Sequence, residues 1–130
     1  MITVAKDVEL RRTAQADLPD VMALWNDGRV MSWVGFPEGL GYDKGKIADW
    51  YEILQSNSAR HHFVVHAEHI GFCGEAYYSV DVSHGRAGLD IKFTPSAQGK
   101  GLAAATLMSL IKVVFESELE VNEVWTEPSI

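Results

Sequence analysis

The chain has 130 residues, 47% of them hydrophobic, and a net charge of −7 from 18 acidic and 11 basic side chains. That length supports one domain around a single core, and the apolar content excludes a disordered chain. The acidic balance argues against non-specific nucleic-acid binding, which needs a positive surface to displace phosphate counterions, and leaves room for a cationic ligand such as an amine. Cys73 is the single cysteine, so neither a disulfide framework nor a cysteine-based metal site is expected. The first residues lack the apolar core of a signal peptide, and no run approaches the ~18–20 apolar residues of a membrane span. The expectation is a cytoplasmic protein with neither a nucleic-acid nor a membrane partner.

In chain order, Val8–Thr13 reads as a first strand. Asp17 has the place of an N-cap, with Pro19 and Asp20 in the first turn of a helix whose Leu18, Val21, Met22 and Trp25 share one face. Asn26-Asp27-Gly28 is expected to close it. The glycine-rich segment 29–42 reads as an ordered loop or broken helical turn. Asp43 caps a second helix with the stripe Ile47, Trp50, Tyr51 and Leu54, ending near Ser56-Asn57-Ser58. His62–Ala67 and Ile70–Val80 form a hairpin about Glu68-His69, and Ala87–Phe93 is the next strand. A glycine turn opens a helix over Ala104–Glu116 with the stripe Leu107, Leu110, Ile111, Val114 and Phe115. Glu123–Thr126 is a last strand.

The order β-α-α-β-β-β-α-β predicts an α+β (mixed α/β) domain spanning residues 1–130, with a mostly antiparallel sheet and helices on both faces. Its fourth strand, last helix and fifth strand form a β-α-β unit that is expected to be parallel and right-handed.

The segment from Leu89 into the last helix carries the chemistry. A strand, a glycine turn and a helix N-terminus aim free backbone N–H groups and a positive dipole end at one point, which suits a phosphate or pyrophosphate. A P-loop requires Ser or Thr after Gly-Lys, whereas Gly101 follows Gly99-Lys100. The dinucleotide fingerprint is approximated by Gly99-Lys-Gly101-Leu-Ala103-Ala104, but the rest of a Rossmann half has no room behind it. The remaining pattern is Gln98-x-x-Gly101-x-Ala103, after a strand and before an alanine-rich helix start.

That pattern resembles the pyrophosphate loop of the GNAT-type N-acetyltransferases. Thr94-Pro95, the order of elements and the opening ELRRTAQADLPDVMALWND (9–27) agree with the likeness, and RVMSWVGFP (29–37) suggests the branch near the ribosomal-protein N-terminal acetyltransferases. The resemblance covers essentially the whole chain. It implies a GNAT-like fold and acetyl-CoA as cosubstrate, with its pyrophosphate on Gln98, Gly99, Lys100, Gly101, Leu102, Ala103 and Ala104. It further implies that Ile91, Lys92 and Phe93 pair through their backbone with pantetheine, one N–H polarising the thioester carbonyl. The acceptor is a primary amine of a small molecule or protein N-terminus, and a homodimer is a further expectation.

Direct transfer requires a base for the acceptor ammonium. Glu75, on the long strand and by alternation on one face with Cys73, Tyr77 and Ser79, is one candidate; Asp90 is the other. Cys73 reads as a packing residue rather than a nucleophile. His62 and His66 share a strand face, but zinc needs about three converging ligands, so the five histidines are expected at the surface or in a substrate pocket, with no metal. Trp33, Phe36, Tyr42 and Trp50 read as core residues or walls of an acceptor pocket. Members of the resembled superfamily usually continue past a strand like Glu123–Thr126 with a helix, often bearing a proton-donating tyrosine, and a further strand. Here the sequence stops at Ile130, leaving Glu123–Thr126 as an expected uncovered edge. A partial chain, completion by a partner, or a degenerate domain are the three readings, and a noncatalytic acyl-CoA sensing module is the alternative function.

Overall fold

The computed structural model describes the backbone of residues 2–5 and residues 8–126 in full. Six strands form one sheet in sequential order. They are β1 (Ile2–Ala5), β2 (Val8–Arg12), β3 (Arg60–Ala67), β4 (Gly71–Asp81), β5 (Arg86–Phe93) and β6 (Glu123–Thr126). Strand β1, which pairs antiparallel with β2, was not expected from the sequence. Pairing is antiparallel throughout except between β5 and β6, as the β-α-β reading requires.

The helices are α1 (Leu18–Trp25), α2 (Gly28–Met31), α3 (Lys44–Ser56) and α4 (Leu102–Ser117). One core lies between α4 and the sheet, where Leu110, Val113 and Val114 meet Val8, Leu10, Phe63, Val65 and Tyr78. The other gathers Val21, Leu24 and Trp25 of α1, Val30 and Met31 of α2 and Ile47 of α3 over Val64. Helices therefore cover both faces, as expected. Within α4, Val113 belongs to the buried stripe, whereas Phe115 is 44% exposed.

Asp43 caps α3 as expected. Asp17 holds the N-cap place of α1, at the end of a short 3-10 turn, but its side chain makes no bond to that helix. Its carboxylate turns back to accept from the Ala14 N–H at 2.7 Å and from the Arg11 guanidinium at 2.8 and 3.0 Å. Burial pushes the Asp17 pKa up, but these hydrogen bonds outweigh it and hold the pKa below the usual value. Gly28 opens α2 rather than closing α1, with Asp27 as its cap. A Cβ at Gly28 would lie 2.1 Å from the Pro37 carbonyl oxygen, so this glycine serves close approach.

The segment after α2 is pinned, not loose. Ser32–Val34 is a 3-10 turn ending at Gly35, where φ is 94°. The Leu40 N–H donates to the Trp25 carbonyl at 2.8 Å, and the Asn26 amide bonds both the N–H and the carbonyl of Tyr42.

A β-bulge sets the faces of β4. Val65 pairs with Gly74 but His66 with Phe72, so Cys73 is an extra residue. Cys73 therefore packs into the α4-side core, whereas Glu75 and Tyr77 face α1 and α3. The expected common face of Cys73 and Glu75 is corrected by this one-residue shift. The Cys73 thiol is buried and its pKa is pushed up to about 11, in keeping with its reading as a packing residue.

Leu110 is fully buried between α4 and the sheet, and Met108 is 70% exposed on the same helix. Leu110→Ala is expected to cost roughly 2–5 kcal/mol in urea denaturation, and Met108→Ala under about 0.5 kcal/mol. Equal losses would contradict the assigned α4 face.

Candidate active site

The turn between β5 and α4 is built by backbone conformation. After a 3-10 turn at Pro95–Ala97, Gly99 and Gly101 take φ of 76° and 74°. A Cβ at either would meet nothing within 4 Å, so positive φ, not crowding, calls for glycine. Gly101 is the N-cap of α4 and has no side chain to satisfy the first-turn N–H groups. Among the described residues, no hydrogen-bond acceptor meets the N–H of Gly99, Lys100 or Gly101. The Gln98 amide donates to the Phe93 carbonyl at 3.1 Å and ties the turn to the end of β5. Helix α4 begins two residues earlier than expected, which places Leu102, Ala103 and Ala104 in its first turn. Open space, unused donors and small side chains therefore coincide at one helix N-terminus, and that set fits a pyrophosphate.

Strand β5 runs toward this turn with part of one edge unpaired among the described residues. Its pairing with β6 extends from Arg86–Glu123 to Leu89–Thr126, so Asp90–Phe93 lie past the last described pair. A small cavity of about 80 Å³ lies over this segment. Asp90, Ile91, Lys92 and Phe93 form one side, with Gln98 beside the turn. Val30, Trp33 and Val34 form the other. The structure thus brings Asp90 and the residues Ile91–Phe93 together with Gln98, and sets Gly99–Ala104 immediately beyond.

Glu75 lies behind this cavity, not in it. It is 1% exposed, which keeps this candidate base away from an acceptor ammonium. Its Oε1 accepts from the Trp25 indole N–H at 2.8 Å and from His62 Nε2 at 2.7 Å. Its Oε2 lies 3.5 Å from the Lys92 ammonium. Burial pushes the Glu75 pKa up, but the His62 hydrogen bond and the charges of His62 and Lys92 prevail, and it falls below the usual 4.5. Burial likewise opposes the charge on Lys92, yet Glu75 and Asp90 raise its pKa above the usual 10.5.

Asp90 is the carboxylate with access to the cavity, its side chain 39% exposed. Its Oδ2 accepts from the Tyr77 hydroxyl at 2.7 Å and from Lys92 at 2.6 Å. Burial and the neighbouring Asp90 push the Tyr77 pKa up to about 12 and keep its proton in place. The sequence missed Lys92 as a side-chain member and His62 as a buried one. His62 stacks on Tyr77, meets Trp25 and Trp50 edge-on, and bonds Thr13 at 2.7 Å. Trp50 and Tyr42 pack on Trp25, while Trp33 and Phe36 are 59% and 48% exposed. Among the described residues, no three His, Cys, Asp or Glu side chains are grouped to hold a metal.

Comparison with known proteins agrees with this geometry. The model of the acetyltransferase (GNAT) domain matches residues 7–129. No curated protein matches the sequence. A spermidine N-acetyltransferase from Vibrio cholerae, solved with CoA and spermine, superposes with a TM-score of 0.79 at 23% identity, over 92% of this chain and 70% of its own. The ribosomal L7/L12 alpha-N-protein acetyltransferase RimL, solved with coenzyme A, gives 0.80 at 13% identity, over 97% and 73%. A GNAT-family acetyltransferase from Bacillus anthracis gives 0.74 at 17%, over 97% and 72%.

A strand leading into a glycine turn and an uncapped helix is an anion-binding arrangement, and the match over residues 7–129 supplies the class, an acetyltransferase. The chain belongs to the GNAT acetyltransferase family, and its activity is acetyl-CoA-dependent N-acetyl transfer.

Removing Glu75 tests the buried network. Glu75→Ala leaves Lys92 and His62 facing a void and is expected to cost about 3–5 kcal/mol. Because the folded carboxyl titrates below the usual 4.5, its stabilisation is complete above that pH and is lost as pH falls through the lower, folded value. The stability gap between the wild type and Glu75→Gln in urea titrations should therefore shrink between neutral pH and about pH 3. A constant gap would mean that the Glu75 carboxyl titrates alike in the folded and unfolded chain, and a gap that widens as pH falls would mean that it is neutral in the folded protein.

Proposed function

We propose that the cavity over β5 is where acetyl-CoA and a primary amine meet, and that Asp90 serves the amine. The observation carrying this reading is the continuity of three features. They are the backbone edge at Asp90–Phe93, unpaired among the described residues, the positive-φ turn at Gly99 and Gly101, and the uncapped start of α4. The pyrophosphate would lie on the N–H groups of Gly99–Ala104, with Lys100 adding positive charge. Pantetheine would run along Ile91–Phe93 through backbone hydrogen bonds.

An ammonium reaching the cavity meets the Asp90 carboxylate, which takes its proton directly or through one water. The neutral nitrogen attacks the thioester carbonyl carbon, and a β5 backbone N–H stabilises the oxyanion. The C–S bond then breaks, and the second amine proton goes with the thiolate to give the amide and the free thiol. Tyr77 and Lys92, both on Oδ2, hold Asp90 for this role. Glu75 anchors Lys92 from behind. The structural neighbours named for spermidine and for a ribosomal-protein N-terminus support an amine acceptor, and oligomer formation remains part of the proposal.

Calorimetry with acetyl-CoA tests the cofactor half. Gly101→Glu puts a side chain and a negative charge at the pyrophosphate position and should weaken binding at least about 100-fold, with the circular dichroism spectrum retained. Unchanged affinity in that variant would remove the turn from the binding site. For the acceptor half, Asp90→Asn should reduce kcat by about 10²–10⁴ while acetyl-CoA affinity holds. Full activity of Asp90→Asn would show that another group takes the proton.

A further inference from the structure

Resting on the cavity as the acceptor site, we infer that the acceptor is a small primary monoamine with an apolar body, rather than a polyamine or a peptide N-terminus. The inference comes from counting which polar atoms of the cavity are still free.

Among the described residues the lining includes one carboxylate, Asp90, and one ammonium, Lys92. Both recorded hydrogen bonds to Asp90, from Tyr77 and Lys92, fall on Oδ2. Its Oδ1 is left to receive a single ammonium group. A polyamine needs a negative partner for each further charge that it brings out of water. The other nearby carboxylate, Glu75, is sealed from solvent and committed to Trp25, His62 and Lys92. Lys92 itself would repel a second cationic centre.

A peptide meets a different obstacle. Its amides must find hydrogen-bond partners when they leave water, or cost the full desolvation of each group. The Gln98 amide is already on the Phe93 carbonyl, and Lys92 is held between Asp90 and Glu75. The Trp33 indole N–H is one donor against several peptide groups.

The opposite wall suits carbon. Val30, Trp33 and Val34 line the cavity, and Trp33 and Val34 remain 59% and 44% exposed although the turn that carries them is fixed at Gly35. Phe36, just after this turn, is also 48% exposed. An alkyl or aryl group next to the amine would cover this surface and remove it from water. The cavity of about 80 Å³ holds the amine head and leaves the body on Trp33 and Val34.

The test measures thiol release from acetyl-CoA with hexylamine, phenethylamine, spermidine, 1,4-diaminobutane and a tetrapeptide with a free N-terminus. Hexylamine or phenethylamine should exceed the other three in kcat/KM by at least about tenfold. Trp33→Ala should raise KM for hexylamine by about tenfold while acetyl-CoA affinity in calorimetry is kept. A preference for spermidine, the diamine or the peptide overturns the inference, as does an unchanged KM in Trp33→Ala. Acetyl-CoA binding without turnover of any of the five amines overturns it as well. Absence of acetyl-CoA binding would instead refute the proposed cavity function itself, so the two failures are distinguishable.

Discussion

The interaction on which the helical layer, the sheet and the site jointly depend is the buried carboxylate of Glu75. An ionised carboxylate without water costs several kcal/mol unless its lone pairs are met by well-placed donors. Here they come from three separate elements: the indole of Trp25 on α1, the imidazole of His62 on β3 and the ammonium of Lys92 on β5. Displacing any of the three strands charge in the core. Such a cluster is weak evidence for net stability, since apolar residues of equal volume can do as well. Its effect here is to fix α1 against the sheet in one arrangement. The same arrangement sets Lys92 between Glu75 and Asp90, so the one carboxylate with access to the cavity is oriented from the core outward.

A second constraint acts on the backbone. The bulge at Cys73 moves Glu75 and Tyr77 onto the α1 face, opposite Lys92 and Asp90 in the β4–β5 register. Without the extra residue, the remainder of β4 would present the other face, and the carboxylate would point at α4. Gly74 beside the bulge lets β5 come close, for a Cβ there would lie 2.0 Å from the Lys92 carbonyl oxygen. The donor–acceptor pairs of the site thus follow from one inserted residue and one missing side chain.

These two constraints also divide what was legible in the sequence from what was not. Helix α4 and the turn before it were readable because their signals are local: a 3.6-residue period and glycines where φ must be positive. The hairpin and the last β-α-β unit followed from the order of elements. The Glu75 network was not readable, because Trp25 and Glu75 lie 50 positions apart and the bulge breaks the two-residue alternation used to assign faces. His62 was misjudged for the same reason: nothing beside it in sequence announces a carboxylate and two tryptophans around it. Segment 29–42 looked irregular, yet its order comes from bonds to Trp25 and Asn26, which a local reading does not weigh.

The glycines themselves show why the turn reads as a binding element and not as a packing device. At Gly28, Gly39 and Gly74 a Cβ would collide with backbone at 2.0–2.3 Å, so each is explained by the fold around it. At Gly99 and Gly101, as at Gly35, Gly41 and Gly71, the space is empty and only φ demands glycine, but Gly99 and Gly101 alone of these lead into the uncapped start of α4. The N–H groups of Gly99–Gly101 meet no acceptor among the described residues, so ordering them costs entropy that no internal hydrogen bond returns. An anion seated on those N–H groups would return it, and the helix dipole of α4 adds to the same attraction. On the proposed reading, the conformation of Gly99–Gly101 is tied to the bound cosubstrate as well as to the stability of the free domain.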